Sequence, residues 1–508
     1  MSSAIGVRLP PRRPSTTEQK LAAAHLGRNL LISASPGSGK THVASERFGV
    51  LRFSKEDGRR VLGLSFTRSA TAELRKRISK RWGSHALAWP HTVQTIDAAY
   101  CEVVEFLINS QSIHWLNLVE KLTVLDTWRG QRGCRYLAPG NQYRRIVRIR
   151  NAKVITAGRR VTHAGYGIGT KAAHDQLLKA GICTHDEIRD IVHDALRNST
   201  LRESIATMLR TTTRAVILDE VFDANQLDLE FVRLLVETGI DVTLVGDPWQ
   251  ALYEFRGAQP GLVEDLTLAG FDTTALTGSF RFETEQMRIQ ASRLRAGLPV
   301  SLSESEGVEQ TDIILGTHWK DLWSIDDAIL PLSFGSVDNK TDALIILLLD
   351  QALRDHFGVG AIYAAEAASV LGIPSEIFDA RRLPLFRNAL DLLMSDSNES
   401  PKLVLADLRS QIRDIGSPGI VRRLSADSEE IRVGRLKSIR ERLQMPSPVL
   451  AMTVHQAKGR EWQRVGVLLQ DSHLVALERG LRLTNATDRL LYVALTRARS
   501  ETTLLRAG

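Results

Sequence analysis

The sequence predicts an α/β protein built on parallel sheets around a phosphate-binding loop. Three observations carry this reading. The apolar run Leu30-Leu31-Ile32 leads directly into Ala34-Ser35-Pro36-Gly37-Ser38-Gly39-Lys40-Thr41. Further runs, Val61-Leu62-Gly63-Leu64-Ser65, Arg214-Ala215-Val216-Ile217-Leu218 and Val242-Thr243-Leu244-Val245, each end in polar residues. After the first of these, Ala70, Leu74 and Ile78 recur at helical spacing.

The loop at 34–41 predicts binding of a nucleoside triphosphate. Backbone N–H groups in a tight glycine-containing turn point at phosphate oxygens, Lys40 neutralises β and γ charge, and the Thr41 hydroxyl ligates Mg²⁺. The helix that follows adds the positive end of its dipole. Ala34 stands where the generic pattern has glycine, and the GKT ending is what an ordinary glycine turn leaves unexplained.

Asp219-Glu220, at the end of the 214–218 strand, reads as the acidic half of the same site. Asp219 at the strand tip holds Mg²⁺, and Glu220 is placed to orient or deprotonate an attacking water. Two acids after an apolar run are usually a solvated strand end; the upstream loop reverses that reading. The 242–245 strand ends in Gly246-Asp247-Pro248-Trp249-Gln250, so polar residues gather at the carboxyl ends of parallel strands.

With 508 residues the chain has room for two to four domains, and its 43% hydrophobic and 24% charged content is that of a globular protein. The net charge of +8 suits a polyanionic partner such as nucleic acid. Three scattered cysteines, Cys101, Cys134 and Cys183, fit neither a disulfide framework nor a metal cluster. The N-terminal Arg8, Pro10, Pro11, Arg12, Arg13 and Pro14 do not form a signal peptide. The longest aliphatic run, Ala343 to Leu349, is far short of the roughly 20 residues that span a bilayer. The expectation is a cytoplasmic protein with no membrane partner.

Eight ordered motifs, nine with the phosphate loop among them, resemble those of superfamily 1A helicases of the UvrD, Rep and PcrA type. They are Thr17-Glu18-Gln19; the phosphate loop, which commonly begins with alanine in this family; Phe66-Thr67-Arg68-Ser69-Ala70 with Glu73 and Arg77; and His91-Thr92-Val93-Gln94-Thr95. Next come Asp219-Glu220-Val221-Phe222-Asp223-Ala224-Asn225, then Val245-Gly246-Asp247-Pro248-Trp249-Gln250 continuing through Tyr253-Glu254-Phe255-Arg256-Gly257-Ala258, and Leu276-Thr277-Gly278-Ser279-Phe280-Arg281. Last are Met452-Thr453-Val454-His455-Gln456-Ala457-Lys458-Gly459-Arg460-Glu461-Trp462 and Leu491-Tyr492-Val493-Ala494-Leu495-Thr496-Arg497-Ala498, nearly diagnostic by themselves.

The resemblance implies two RecA-like P-loop domains with parallel sheets. The first is expected over 1–100 and 206–275, with a mainly helical 1B-type insertion over 101–205. The second is expected over 276–350 and 446–508, with a shortened 2B-type insertion over 351–445. ATP would lie between the two domains. Lys40, Thr41, Asp219, Glu220 and Gln250 would come from the first, Arg281 and Arg497 from the second as γ-phosphate contacts, and Glu461 would approach the ribose. Gln19 would read adenine, which would stack between Phe280 and His42. Single-stranded DNA would be faced by Phe66, Thr67, Arg68, Thr92, Gln94, Tyr253, Phe255, Arg256 and His455, in the pattern of basic groups beside aromatic platforms.

Some features depart from that frame. Phe222 replaces a glutamine that can hydrogen-bond within the motif network. Ser279 and Arg68 each replace asparagine, a milder change. Gly165-Tyr166-Gly167-Ile168-Gly169-Thr170-Lys171 mimics a second phosphate loop, but its order is Thr then Lys and no apolar strand of usual length precedes it, so it reads as a flexible loop. Arg144, Arg145, Arg148 and Arg150 read as a solvated helix face. The stretch Ser395 to Pro401 is expected to be an exposed loop. The few residues after Arg497 leave no fused nuclease domain to expect.

The function implied is an ATP- and Mg²⁺-dependent translocase and helicase acting from 3' to 5' on single-stranded and tailed duplex DNA. A repair protein or a separate nuclease would be its partner; the compact form also resembles the helicase-like component of Gabija anti-phage systems. The competing reading is a nucleic-acid-sensing ATPase that switches a partner without unwinding. A small-molecule kinase leaves the last two motifs unexplained.

Overall fold

All seven residues of the strand Thr213–Asp219 are buried, as a parallel strand covered on both faces requires. The structure, a computed structural model, describes residues 15–117, 121–126, 128, 143–160, 171–254, 257–268, 270–305, 307–337, 339–372, 375–411 and 424–506. Along the chain, β1 (Asn29–Ala34), β2 (Arg60–Ser65) and β3 (Thr92–Thr95) precede β4 (Thr123–Leu125), β5 (Tyr143–Arg150), β6 (Lys153–Arg160) and β7 (Ile182–Thr184). Then come β8 (Thr213–Asp219), β9 (Asp241–Gly246), β10 (Asp272–Leu276), β11 (Ile313–Gly316) and β12 (Ile329–Pro331), and finally β13 (Val449–Thr453), β14 (Trp462–Leu469) and β15 (Ala498–Arg506).

The chain forms two compact units. One comprises Met1–Ala99, Arg202–Pro248 and Tyr253–Phe280; the other comprises Tyr100–Leu201, Trp249–Leu252 and Arg281–Gly508. In the first, six parallel strands run in the order β10-β1-β9-β8-β2-β3. Helices α1 (Thr17–Ala23), α2 (Lys40–Ser54) and α3 (Arg68–Trp82) belong to this unit, and α4 (Ile96–Asn109) begins in it. The buried face of α3 is Thr71, Leu74 and Ile78, so Thr71 takes the place the periodicity gave Ala70. Gly49 on α2 admits the Trp82 ring, because a Cβ there would lie 1.9 Å from it. Arg47, 2% exposed, donates to the carbonyls of Ala23 and His25 at the end of α1 and to the Thr243 hydroxyl.

The second unit has a five-stranded parallel sheet, β12-β13-β11-β14-β15. Its core takes in the helix Lys340–Phe357, whose run Ala343 to Leu349 is wholly buried. The expected 350/351 boundary falls inside this helix. Among the described residues, no helix is long and apolar enough to cross a membrane.

Two expectations are corrected here. The insertion contains helices, but Arg144, Arg145, Arg148 and Arg150 lie on the hairpin β5–β6, not on a helix. Asn151 and Ala152 both take positive φ, 49° and 57°, the geometry of a two-residue hairpin turn. Residues 147–150 alternate between aliphatic and basic side chains up to that turn, and Arg148 pairs with Asp194 at 2.7 Å. Ser395 to Pro401 is likewise not all exposed: Ser400 and Pro401 are buried at the start of the helix Ser400–Ser410, and the Ser400 hydroxyl donates to the Leu393 carbonyl. The glycine-rich stretch 165–170 lies outside the described residues.

Candidate nucleotide site

β1 ends at Ala34 and α2 begins at Lys40, so the intervening loop crosses the carboxyl edge of the sheet. Gly37 (φ 72°) and Gly39 (φ 87°) occupy left-handed conformations that side chains disfavour. β10 and its continuation brace the loop: the Ser35 N–H donates to the Leu276 carbonyl, the Ser279 hydroxyl to the Pro36 carbonyl, and the Phe280 N–H to the Gly37 carbonyl at 2.8 Å. The loop thus holds Phe280, 40% exposed, beside the glycine turn.

The acidic pair meets the loop from β8, two strands away in the sheet. Lys40 Nζ lies 3.2 Å from one Glu220 carboxylate oxygen and 3.3 Å from the other. The Thr41 hydroxyl donates to Asp219 Oδ2 at 3.3 Å. Burial, with the neighbouring Glu220 charge, pushes the Asp219 carboxyl up to about 6, while Lys40 and the hydrogen bonds from Glu220 and Thr41 pull the other way. Thr41 and Asp219 supply two hard oxygen donors side by side, which fits Mg²⁺, a cation that usually completes its shell with water and substrate phosphate. Among the described residues there is no group of three or more His, Cys, Asp or Glu side chains able to hold a metal by themselves.

Glu220 has φ 60° and ψ 40°, a left-handed conformation in a residue that is not glycine. It opens the short turn Val221–Asp223, which buries Phe222 to 4% exposure. The Phe222 ring lies against Gly246 at the end of β9; a Cβ on Gly246 would stand 2.6 Å from it. The ring where the family has glutamine is thus a packing element.

Gln19 is already engaged. Its Nε2 donates to the Ser38 carbonyl at 2.8 Å, and its Oε1 accepts from the Thr16 N–H at 3.0 Å in a capping box. Its second amide hydrogen and the second lone pair of Oε1 remain for a base. Glu18 beside it accepts from the N–H and the hydroxyl of Thr277, a brace that the motif gave no sign of. His42 is half-buried, with Nε2 2.9 Å from the Ser15 hydroxyl; burial lowers its pKa, which favours a neutral flat ring.

Gln250 is expected with the first domain, and its place is different. Trp249–Leu252 belongs to the second unit, where Trp249 packs on Tyr492 with centroids 4.9 Å apart and Arg489 donates to the Ala251 carbonyl at 2.9 Å. Gln250 itself is buried. The same unit brings the two expected phosphate arginines to one place. Arg281 donates to Glu461 Oε2 (2.9 Å) and to the Thr496 carbonyl (2.7 Å), and Arg497, fully buried, donates to the Val493 carbonyl (3.0 Å) and the Arg460 carbonyl (3.4 Å). Arg499, which the motifs did not single out, lies 2.5 Å from the other Glu461 oxygen. Burial opposes ionisation of Glu461, but hydrogen bonds from Arg499 and Arg281 hold its carboxyl below the ordinary value.

On the first unit, Phe66, Thr67 and Arg68 follow β2 at the same sheet edge as the loop. Thr67 caps α3 by accepting from the Ala70 N–H, and Thr67 and Arg68 are exposed. Thr92 and Gln94 share one face of β3, and Gln94 pairs in register with Leu64. Tyr253 is half-buried in this unit, whereas His455 is half-buried in the second, on the short helix Val454–Ala457. Phe255 and Arg256 lie outside the described residues.

Residues 15–268 match the UvrD/REP helicase N-terminal domain. The chain belongs to the UvrD/REP helicase family. Residues 424–506 match the UvrD-like helicase C-terminal domain. Relatives of this UvrD/REP chain include the ATP-dependent DNA helicase UvrD1 of Mycobacterium tuberculosis (strain ATCC 25618 / H37Rv), 26% identical over 307 residues, 54% of this chain and 38% of the relative. DNA helicase II of Escherichia coli (strain K12) is 25% identical over 256 residues, 48% of this chain and 34% of the relative. A 65-residue stretch is 48% identical to an ATP-dependent helicase/nuclease component of Lacticaseibacillus casei (strain BL23), covering 12% of this chain and 5% of that one. The UvrD1 and DNA helicase II matches thus span 38% and 34% of the length of those relatives.

Proposed function

We propose that this chain is an ATP-dependent single-stranded DNA translocase and DNA helicase. The observation that carries the reading is the meeting of Lys40 with Glu220 and of Thr41 with Asp219, on the sheet edge that also presents Phe66, Thr67 and Arg68. In the reaction, water attacks the γ-phosphorus, the bond to the ADP oxygen breaks, and Glu220 orients the water and accepts its proton. Lys40 leaves Glu220 for the β,γ-phosphates as nucleotide arrives, which frees the carboxylate for that task. Mg²⁺ held through Thr41 and Asp219 would neutralise phosphate charge. Gln250, Arg281 and Arg497 act on the same phosphoryl group, the arginines in the manner of arginine fingers.

The biological setting we propose is DNA repair or anti-phage defence, with tailed duplex DNA as substrate, movement from 3' to 5', and a separate nuclease or repair protein as partner. The name of the Lacticaseibacillus casei relative, which joins helicase to nuclease, supports the partner. A second reading, a nucleic-acid-sensing ATPase that controls its partner without unwinding, is favoured by one observation: buried Phe222 replaces a hydrogen-bonding residue beside Glu220. Strand separation on 3'-tailed and 5'-tailed duplexes, measured beside ATP turnover with and without single-stranded DNA, tests both. Unwinding of the 3'-tailed duplex supports the helicase, turnover stimulated by DNA without strand separation supports the sensor, and no stimulation by DNA sinks both.

A further inference from the structure

The sheet edge remote from the phosphate loop carries a second concentration of aromatic and basic side chains. Helices α2 and α3 each have 15 residues, so their carboxyl ends lie about 22 Å from the edge where they begin. At the end of α2, Phe53 is 42% exposed; its ring centroid is 5.7 Å from that of Trp82, at the end of α3, and 5.6 Å from that of His85. Arg52 lies over Phe53 and Arg81 over Trp82, each 5.2 Å from the centroid. The Ala88 N–H closes a turn onto the His85 carbonyl, and the next residue, Trp89, is 93% exposed.

The bland account of this cluster is packing, and it holds for Trp82. That ring seats on Gly49 and donates Nε1–H to the Ser45 carbonyl. It does not hold for Trp89, which offers nearly its whole indole to solvent, or for the exposed part of Phe53. Singly exposed apolar side chains are common, so it is the coincidence of two exposed rings with the end of a basic helix that calls for an occupant.

Charge identifies the occupant. α3 carries six Lys or Arg side chains and one acid, Glu73. Arg68, Lys76 and Lys80 are exposed, and they extend the basic surface from the Thr67–Arg68 edge to the aromatic end. A basic track that ends on flat, accessible rings is the pattern of sequence-neutral single-strand binding, in which phosphates follow the cations and bases stack on the rings.

We propose that the outer face of α3, with the exposed rings of Phe53 and Trp89 near its carboxyl end, forms a second contact for single-stranded nucleic acid that extends the strand-end face. The proposal rests on the reading of this chain as a DNA-binding protein. A strand held at both places engages more nucleotides than the motif residues alone reach.

Two oligothymidines, about 8 and about 24 nucleotides long, test it by titration at fixed salt. In the wild-type chain both bind, the longer one more tightly and with quenching of tryptophan fluorescence. Phe53→Ala with Trp89→Ala weakens the long oligonucleotide by about 10-fold or more and leaves the short one unchanged. Trp89→Phe keeps the affinity and loses part of the quench. Lys76→Glu with Lys80→Glu lowers the salt slope for the long oligonucleotide by about 2. Long-oligonucleotide affinity and salt slope that stay at wild-type values in all these variants overturn the proposal and leave the exposed rings to a protein partner. Failure of the wild-type chain to bind either length overturns the DNA-binding reading itself.

Discussion

Lys40 of the phosphate loop and Glu220 at the end of β8 form an ion pair of 3.2 Å. Each side chain is the other's partner where the proposed reaction needs both for nucleotide. The pair ties α2 to β8 across two neighbouring roles, charge neutralisation and water activation.

Lys40→Ala and Glu220→Gln separate those roles. Loss of Lys40 removes charge stabilisation from the transferring phosphoryl group, so turnover falls by about 100-fold or more and nucleotide affinity falls with it. Glu220→Gln keeps the shape and loses the base: turnover falls comparably while a fluorescent ATP analogue still binds. Single-turnover hydrolysis beside equilibrium binding distinguishes them, and near-normal turnover in either variant removes that residue from the chemistry.

Arg281 and Arg497 differ in how deeply they are set. Arg281 is held by Glu461 and one carbonyl, whereas Arg497 is wholly buried. Arg281→Ala is expected to lower kcat by about 1,000-fold with little change in melting temperature, the scale of an arginine finger. Arg497→Ala lowers turnover as far and costs stability too, because it empties a buried site. Thermal melts of both variants beside their rates check the contrast.

Phe222 and Gly246 are expected to be energetically coupled. Gly246→Ala places a methyl group 2.6 Å from the ring and should destabilise the chain by about 1 to 3 kcal/mol. In the Phe222→Ala background the same change should cost far less, since the obstructing ring is gone. Urea unfolding of the four combinations measures the coupling; equal costs in both backgrounds would refute it.

His91 makes stability depend on pH. Its Nδ1 accepts from the Val61 N–H at 3.0 Å, and burial, with Arg52 and Arg214 nearby, lowers its pKa to about 4. The folded chain prefers the neutral ring, so this contribution is complete above about pH 6.5 and is lost as pH falls toward 4, by up to about 3 kcal/mol. His91→Asn, which keeps an acceptor, should flatten that loss. Denaturant midpoints at pH 7, 5.5 and 4.5 decide it, and parallel acid curves for both chains exclude His91 as the cause.

The sequence made the strand, loop and helix around Lys40 legible because apolar periodicity, glycine and the GKT ending are local signals that agree. Asp219 and Glu220 were legible for the same reason, as was the family. The arginines of β5 were misplaced because a run of like charge hides the alternation beneath it, and the turn at Asn151-Ala152 lacks a glycine to announce it. The second Glu461 contact, Arg499, was not legible: sequence spacing says nothing about which of several arginines shares a carboxylate. Gln19 shows a third limit, since a motif names a residue without saying that its amide already serves the backbone.

The left-handed backbone of Glu220 sets stability against chemistry at a single position. Glycine occupies φ near 60° without the steric cost a glutamate bears there, so Glu220→Gly relieves strain worth about 1 kcal/mol while deleting the proposed base. Selection for a sturdier fold and selection for turnover would therefore pull this codon in opposite directions. A chain of this family that carried glycine here would be recognisable as one retired from hydrolysis and kept for binding.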